Sequence, residues 1–216
     1  MKLEEMKKYL EELNKEPKKK FNQSIDLVVI LKNLDLKKPD QQLDMYIDLH
    51  KSKGSKTRVC AIVGPELAEE AKSVCDKVIM DNELEQYKEP KLGKKLAREY
   101  DFFVGQANIM TKIAATFGRT LGPKGKMPNP KAGCVIPPKG SVKAVYERLQ
   151  KLIRVKVKDQ LHFSVSVGKE DTEQDIVADN IITILNAMTK ALPQEKNNIK
   201  KIMIKKTMTK PIEIKW

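Results

Sequence analysis

Cysteine, histidine and aromatic residues are scarce in this 216-residue chain, and it contains no long apolar run. The cysteines are odd in number and widely spaced (Cys60, Cys75 and Cys134), which argues against a disulfide framework or a zinc finger and indicates a reducing cytoplasm. No apolar run approaches the ~20 residues that cross a bilayer. The N-terminal segment is too charged for a signal peptide and too acidic for a typical transit peptide.

Catalytic and metal-binding patterns are also missing. The two histidines, His50 and His162, fall in no Ser/His/acid or Cys/His arrangement that the order of the residues supports. Four acids precede an apolar helical stripe, and we interpret them as first-turn residues favoured by the helix dipole rather than as a metal site: Glu170, Asp171, Glu173 and Asp175. The sequence therefore predicts no catalytic residue, no metal and no cofactor.

Basic residues are abundant. Lys and Arg number 42 against 29 Asp and Glu, a net charge of +13, which points to a polyanionic partner, either nucleic acid or an anionic membrane surface. The excess is spread along the chain. Residues 57–152 contain 17 basic and 11 acidic residues, and the rest of the chain contains 25 basic and 18 acidic residues. Composition alone therefore does not say which region contacts the polyanion.

The first part of the chain predicts a helix, a strand and a connection. Apolar residues recur at helical spacing up to a break at Pro17: Leu3, Met6, Leu10 and Leu13. Residues 25–31 are almost continuously aliphatic, which is typical of a strand covered on both faces. The polar segment that follows, ending at residues 51–56, looks like a flexible connection.

The middle of the chain alternates between strands and helices. Strands are predicted at residues 59–63, 77–80 and 100–104. Helices are predicted at 67–74, at two short segments after residue 80, at 107–117 and at 142–152. This alternation predicts a parallel α/β sheet with helices on its faces.

The last third predicts an antiparallel sheet and a helix. Residues 161–167 alternate strictly, and an apolar stripe marks one face of a helix over 176–188. Further strands are predicted at 199–204 and 212–216. Pairing both chain ends gives the first helix and strand a partner, so we expect a discontinuous α+β domain from residues 1–56 and 153–216, with residues 57–152 as an inserted α/β domain.

The loop over residues 118–133 is the most distinctive segment. Four cations project from a Gly/Pro-rich backbone without any acid: Arg119, Lys124, Lys126 and Lys131. It could be a solvated surface loop or an anion-binding hairpin. A nucleotide-binding P-loop is disfavoured, because Thr120 and Met127 occupy the positions that require glycine and a hydroxyl residue.

The same segment carries a family resemblance. Residues 110–138 read MTKIAATFGRTLGPKGKMPNPKAGCVIPP, which closely resembles the signature of the large-subunit ribosomal protein L-one family in its archaeal and eukaryal form. The resemblance extends along essentially the whole chain and implies the same two-domain fold, in which the domain inserted into the discontinuous α+β domain is a Rossmann-like, three-layer α/β domain. It implies a structural, non-enzymatic protein that binds large-subunit ribosomal RNA at the mobile stalk near the tRNA exit site and helps release deacylated tRNA. It also implies repression of the protein's own mRNA, and a monomer away from the ribosome.

The resemblance also identifies candidate RNA contacts. The candidates in the segment that matches the family's first RNA-contacting strand are Lys20, Phe21, Ser24 and Asp26. Lys169 is a second candidate contact point. A third lies at Thr207, Met208 and Thr209, where the family usually has Thr-Met-Gly, so close approach of RNA at Thr209 is in doubt. The cations of the 118–133 loop would assist. The run Lys18–Lys20 is interpreted first as a solvated segment, with an auxiliary phosphate contact as the alternative. Two rival hypotheses are disfavoured by missing features. A nucleotide-dependent enzyme lacks the P-loop hydroxyl and a Gly-x-Gly-x-x-Gly fingerprint, and a basic protein on anionic membranes lacks a lysine-faced amphipathic helix with aromatic anchors.

Overall fold

The computed structural model describes residues 3–17 and 19–215, so the expectations for Lys18 and Trp216 lie outside the described residues. The chain divides into a terminal unit, Met1–Ser55 with Lys151–Trp216, and an inserted unit, Lys56–Gln150. No helix in the described ranges is long and apolar enough to span a membrane. The helices and strands are α1 (Leu3–Asn14), β1 (Ser24–Leu31), β2 (Leu43–Asp48), β3 (Val59–Val63), α2 (Ala68–Val74), β4 (Lys77–Met80), α3 (Pro90–Glu99), β5 (Phe102–Gln106), α4 (Met110–Leu121), β6 (Val135–Ile136), α5 (Val142–Lys151), β7 (Leu152–Val157), β8 (His162–Lys169), α6 (Gln174–Ala191), β9 (Ile199–Lys206) and β10 (Ile212–Ile214).

The terminal unit is built on an antiparallel sheet with the order β10-β9-β1-β8. One face of this sheet packs with helices α1 and α6 in a single apolar core. Burial alternates along β1, because Ile25, Leu27, Val29 and Leu31 face that core while the residues between them are only half-buried. The expectation that this strand is covered on both faces is therefore wrong.

The terminal unit also contains a strand pair that the sequence reading missed. Strands β2 and β7 are antiparallel, with Leu43 opposite Val157 and Asp48 opposite Leu152. The Arg154 guanidinium donates to both carboxylate oxygens of Asp44 at 2.8 Å. The polar segment before residue 51 is thus partly a strand, and Leu152 begins β7 instead of ending the preceding helix.

The inserted unit is a parallel sheet with the order β4-β3-β5-β6, as the alternation of strands and helices predicts. Every residue of β3 is buried. Helix α4 continues to Leu121, four residues beyond the predicted end, because Phe117 and Leu121 are both buried on its core face. The three cysteines lie in this unit as free thiols, and burial raises the pKa of Cys60 to about 12.

Candidate RNA interface

The two chain ends meet at one end of the antiparallel sheet. Thr207 N–H donates to the Ser24 carbonyl oxygen at 3.1 Å, and Ser24 N–H donates to Thr207 Oγ1 at 3.2 Å. Lys169 lies opposite Ser24 on β8. The backbone register therefore brings together three predicted contacts that are up to 183 positions apart in the chain.

Two large apolar side chains are exposed beside this junction. Phe21 is 48% exposed and Met208 is 65% exposed, so neither is a core residue. A shallow concavity of about 300 Å³ places Phe21 and Lys20 beside Glu170 and Asp171, which follow Lys169. We name this surface the junction site and define it by the eight predicted residues Lys20, Phe21, Ser24, Asp26, Lys169, Thr207, Met208 and Thr209.

The two hydroxyl groups at the centre of the junction site have different roles. Thr207 Oγ1 accepts from Ser24 N–H and lies 3.4 Å from the Ser24 carbonyl oxygen, to which it donates weakly. The Thr207 hydroxyl is thus partly engaged in joining β1 to β9. Ser24 is half-buried and contributes its backbone to this joint, which leaves its side-chain hydroxyl as the better candidate for reading a ligand hydroxyl.

The junction site continues onto the outer face of the sheet. Asp26 lies opposite Ser166 and Lys205, and Ile30 lies opposite His162 and Lys201. Partial burial raises the pKa of Asp26, and the nearby Lys205 ammonium opposes this effect. We name this surface the open face; sequence reasoning assigned it no role beyond Asp26, although the alternation of β8 and β9 places these residues on it: Ser164, Ser166, Lys201, Met203 and Lys205.

A buried polar group supports the turn that carries Thr207 and Met208. Lys206 Nζ donates to Glu170 Oε1 at 2.8 Å, and the two side chains are 1% and 12% exposed. Gln23 is fully buried, and its Oε1 accepts from Met208 N–H at 3.1 Å. The Lys206 hydrogen bond lowers the pKa of Glu170, with a smaller contribution from Gln23. We name these three residues, Gln23, Glu170 and Lys206, the polar clamp.

The polar clamp corrects one sequence interpretation and adds to the predicted site. Helix α6 begins at Gln174, so Glu170 is not in its first turn and instead neutralises a buried lysine. One signal was available in the sequence: Ile202 and Ile204 face the core, so period-2 alternation places Lys206 inside as well. A lysine at a core position calls for an acidic partner.

Glycine at position 168 has a packing explanation. A Cβ atom added to Gly168 would lie 2.7 Å from Val177 Cγ2 on α6, so a side chain there would push the helix away from the sheet. Lys169 N–H donates to Thr172 Oγ1 at 3.1 Å, which fixes the chain as it leaves β8. Of this pair, only Lys169 reaches the surface as a candidate contact.

The basic loop of the inserted unit exposes three of its four predicted cations. Arg119 is in the last turn of α4, and Lys124 and Lys131 are exposed after it. Lys126 differs, because its Nζ donates to the Tyr100 carbonyl oxygen at 2.7 Å and is partly buried. Burial lowers the pKa of Lys126. Lys126 therefore anchors the loop, and the other three residues are the ones available to a polyanion.

In doubly wound folds, nucleotides bind at the carboxyl ends of the strands where the strand order reverses, which in this sheet lies between β3 and β5. Gln106 occupies the end of β5 at this position, and its side-chain Oε1 accepts from Gly64 N–H at 2.7 Å. Gln106 is 2% exposed. This arrangement does not favour the nucleotide-dependent enzyme. Within the described ranges, no group of three His, Cys, Asp or Glu side chains could hold a metal ion.

The fold and the junction site define a class of two-domain proteins in which an α/β unit is inserted into an α+β unit made of both chain ends. The profile described as the Ribosomal protein L1p/L10e family matches residues 13–210, and the chain belongs to this family in its archaeal/eukaryal type. It is similar to the large ribosomal subunit protein uL1 of Nanoarchaeum equitans, at 39% identity over 91% of this chain and 93% of that protein. It is also similar to the uL1 proteins of Methanothermococcus thermolithotrophicus (35% identity; 90% of this chain, 89% of that protein) and Thermoplasma acidophilum (30%; 100% and 98%).

Proposed function

We propose that the protein is a structural constituent of the large ribosomal subunit that binds the stalk region of large-subunit ribosomal RNA through the junction site. The observation that carries this proposal is the Ser24–Thr207 joint with Phe21 and Met208 exposed beside it. The relatives are named as large-subunit proteins, which supports the assignment. The proposal includes a position near the tRNA exit site, where the protein assists release of deacylated tRNA.

The chemistry of the junction site suits structured RNA. An RNA duplex presents 2′-hydroxyl groups and phosphates across a shallow minor groove and is recognised mainly by shape. The Ser24 hydroxyl can donate to and accept from a 2′-hydroxyl. Phe21 and Met208 would exclude water around that contact, which strengthens the neighbouring hydrogen bonds.

Charge around the junction site orients the RNA. Lys20 and Lys169 lie at the end of the sheet, and Lys205 extends the positive surface along the open face, whereas Lys201 is paired with Glu213 at 3.2 Å. The Asp26 carboxylate repels phosphate, so it favours an orientation in which an amino or 2′-hydroxyl donor faces it. Arg119, Lys124 and Lys131 of the inserted unit supply auxiliary phosphate contacts.

Salt dependence separates phosphate contacts from hydroxyl contacts. In gel-shift titrations with the stalk fragment, affinity should fall as salt rises, with a slope proportional to the number of neutralised phosphates. Lys20→Ala should reduce the slope by about 1, because one phosphate contact is lost. Ser24→Ala should weaken binding by about 0.5–1.5 kcal/mol and leave the slope unchanged, because a neutral hydrogen bond is lost.

The matched controls lie next to the same strands, β1 and β9. Lys32→Ala, just after β1, removes a charge at the opposite end of the sheet from Lys20 and should leave the slope as in the unaltered protein. Thr207→Ser retains the hydroxyl that joins Ser24 and should bind normally. If Lys20→Ala and Ser24→Ala change affinity and slope alike, the assignment of these two residues to different contacts is wrong.

A second RNA target is proposed from the same geometry. A surface that reads shape and 2′-hydroxyl groups accepts any RNA that folds like the stalk, so the protein also represses its own mRNA by binding a similar structure in it. The leader of its own transcript should compete with the stalk fragment in the gel shift, and Ser24→Ala should weaken both complexes in parallel. Competition no stronger than that of an unrelated hairpin would contradict the repressor role.

A further inference from the structure

We propose that Thr209 is a positioning residue whose hydroxyl closes the turn after β9 and holds Thr207 and Met208 in their binding conformation before RNA arrives. This inference rests on the proposed function of the junction site. It also gives a role to the departure from Thr-Met-Gly, which the sequence alone does not explain.

The Thr209 side chain closes the turn in a way that glycine cannot. Thr209 Oγ1 accepts from Lys206 N–H at 3.0 Å and lies 3.5 Å from the Lys206 carbonyl oxygen. The backbone N–H of Thr209 donates to that same carbonyl oxygen at 3.2 Å. Thr209 is half-buried, whereas Thr207 and Met208 before it are exposed.

Lys206 pairs with Ile25 on β1 but lies beyond the part of β9 that pairs with β10, so its N–H needs a side-chain acceptor. Strand β10 pairs with β9 only as far as Ile204, and the N–H of Thr207 points the other way, to Ser24 on β1. In an antiparallel sheet, successive N–H groups of a strand point to opposite sides. The Lys206 N–H therefore faces the side where β10 is missing, and Thr209 supplies the partner that a strand would otherwise provide.

The backbone geometry does not require glycine at this position. Among the described residues outside glycine, positive φ angles occur only at Asn33 and Glu195. Threonine therefore adopts the turn without the strain that a left-handed conformation would impose. The threonine side chain adds a Cβ and a methyl group to the surface, and its hydroxyl fixes the turn.

The polar clamp also fixes this turn. Gln23 Oε1 accepts from Met208 N–H, and the Lys206 side chain is fixed by Glu170. Thr209 and the clamp thus tie Lys206 and Met208 on either side of Thr207. A surface fixed in this way loses less conformational entropy on binding, and so gains affinity without an additional contact to RNA.

Three substitutions at position 209 test the inference. Thr209→Val keeps the shape and removes the hydroxyl, Thr209→Ser keeps the hydroxyl, and Thr209→Gly restores the family pattern. Affinity for the stalk fragment should fall roughly tenfold in Thr209→Val and Thr209→Gly, which corresponds to the loss of one hydrogen bond. It should stay within about twofold of the unaltered protein in Thr209→Ser.

Amide hydrogen exchange of the free protein supplies the readout that a general loss of stability would not reproduce. In Thr209→Val, exchange should accelerate at Lys206 and Met208 while the amides of β1 and α6 keep their protection, and Thr209→Ser should restore both amides. The inference is overturned if Thr209→Val binds as tightly as Thr209→Ser, or if Thr209→Gly binds more tightly than the unaltered protein. Failure of the unaltered protein to bind the stalk fragment would instead overturn the proposed function, and the exchange rates would still report on the turn.

Discussion

Replacing Glu170 with alanine should lower the free energy of unfolding of the terminal unit by about 3–5 kcal/mol, because it leaves a buried ammonium group without its counter-charge. The Lys206 side chain is 1% exposed and lies 2.8 Å from Glu170 Oε1. Urea denaturation followed by far-UV circular dichroism measures the loss.

Two further variants separate the buried pair from a general charge effect. Asp171→Ala removes a neighbouring but exposed carboxylate and should change stability by less than about 0.5 kcal/mol. The double variant Glu170→Ala with Lys206→Met should recover much of the loss, because replacing both members of a buried pair with apolar groups costs far less than removing one. Equal destabilisation by Glu170→Ala and Asp171→Ala would contradict the structural role of the pair.

The same pair should make stability depend on acid pH. The Lys206 hydrogen bond lowers the pKa of Glu170 below its ordinary value of 4.5. A carboxyl group with a lowered pKa in the folded state stabilises the fold fully above that ordinary value, and the contribution is lost as the pH falls through the folded-state pKa. Urea midpoints of the unaltered protein should therefore drop more steeply below about pH 4.5 than those of Glu170→Ala.

Replacing Phe21 with alanine should weaken RNA binding by about 1–3 kcal/mol, which is roughly a 5- to 150-fold loss of affinity, if its ring stacks on a base. Because Phe21 is 48% exposed in the free protein, its removal should have little effect on stability. The ring carries no charge, so the salt slope should stay the same. Filter binding at several salt concentrations measures both quantities.

A matched control and a conservative variant sharpen this test. Leu161 is 37% exposed and precedes β8 at the end of the sheet away from the junction site, so Leu161→Ala should leave RNA affinity unchanged. Phe21→Leu keeps an apolar cover without an aromatic face. If Phe21→Leu binds as well as the unaltered protein, the side chain excludes water and does not stack.

Local patterns predicted some elements well and misjudged others for physical reasons. Residues 161–167 alternate and α6 has an apolar stripe because each element buries only one face. The predictions of a strand and of a helix at these two places are confirmed. Residues 25–31 are aliphatic on both faces, so their sequence cannot show that Val28 and Ile30 lie on the open face. Strand β2 was missed because Asp44 and Asp48 make it resemble a polar connection, and their surroundings depend on β7, more than 100 positions later.

The candidate site depended more heavily on resemblance than on pattern. Phe21 and Met208 are residue types that usually pack in a core, and only the fold shows that both are exposed at one junction. Gln23 and Glu170 could not be chosen from the sequence, because their partners Met208 and Lys206 are 185 and 36 positions away. Such contacts follow from the strand register, which local residue preferences do not determine.

The central place of β1 in its sheet has a consequence for synthesis on the ribosome. Both of its neighbours, β8 and β9, are translated more than 100 residues later, whereas the strands of the inserted unit all lie between residues 59 and 136. The nascent chain can therefore complete the inserted unit first, while the apolar side of β1 stays incompletely covered until β8, α6 and β9 have been made. The proposed RNA surface comes into existence only after residue 209 has left the exit tunnel.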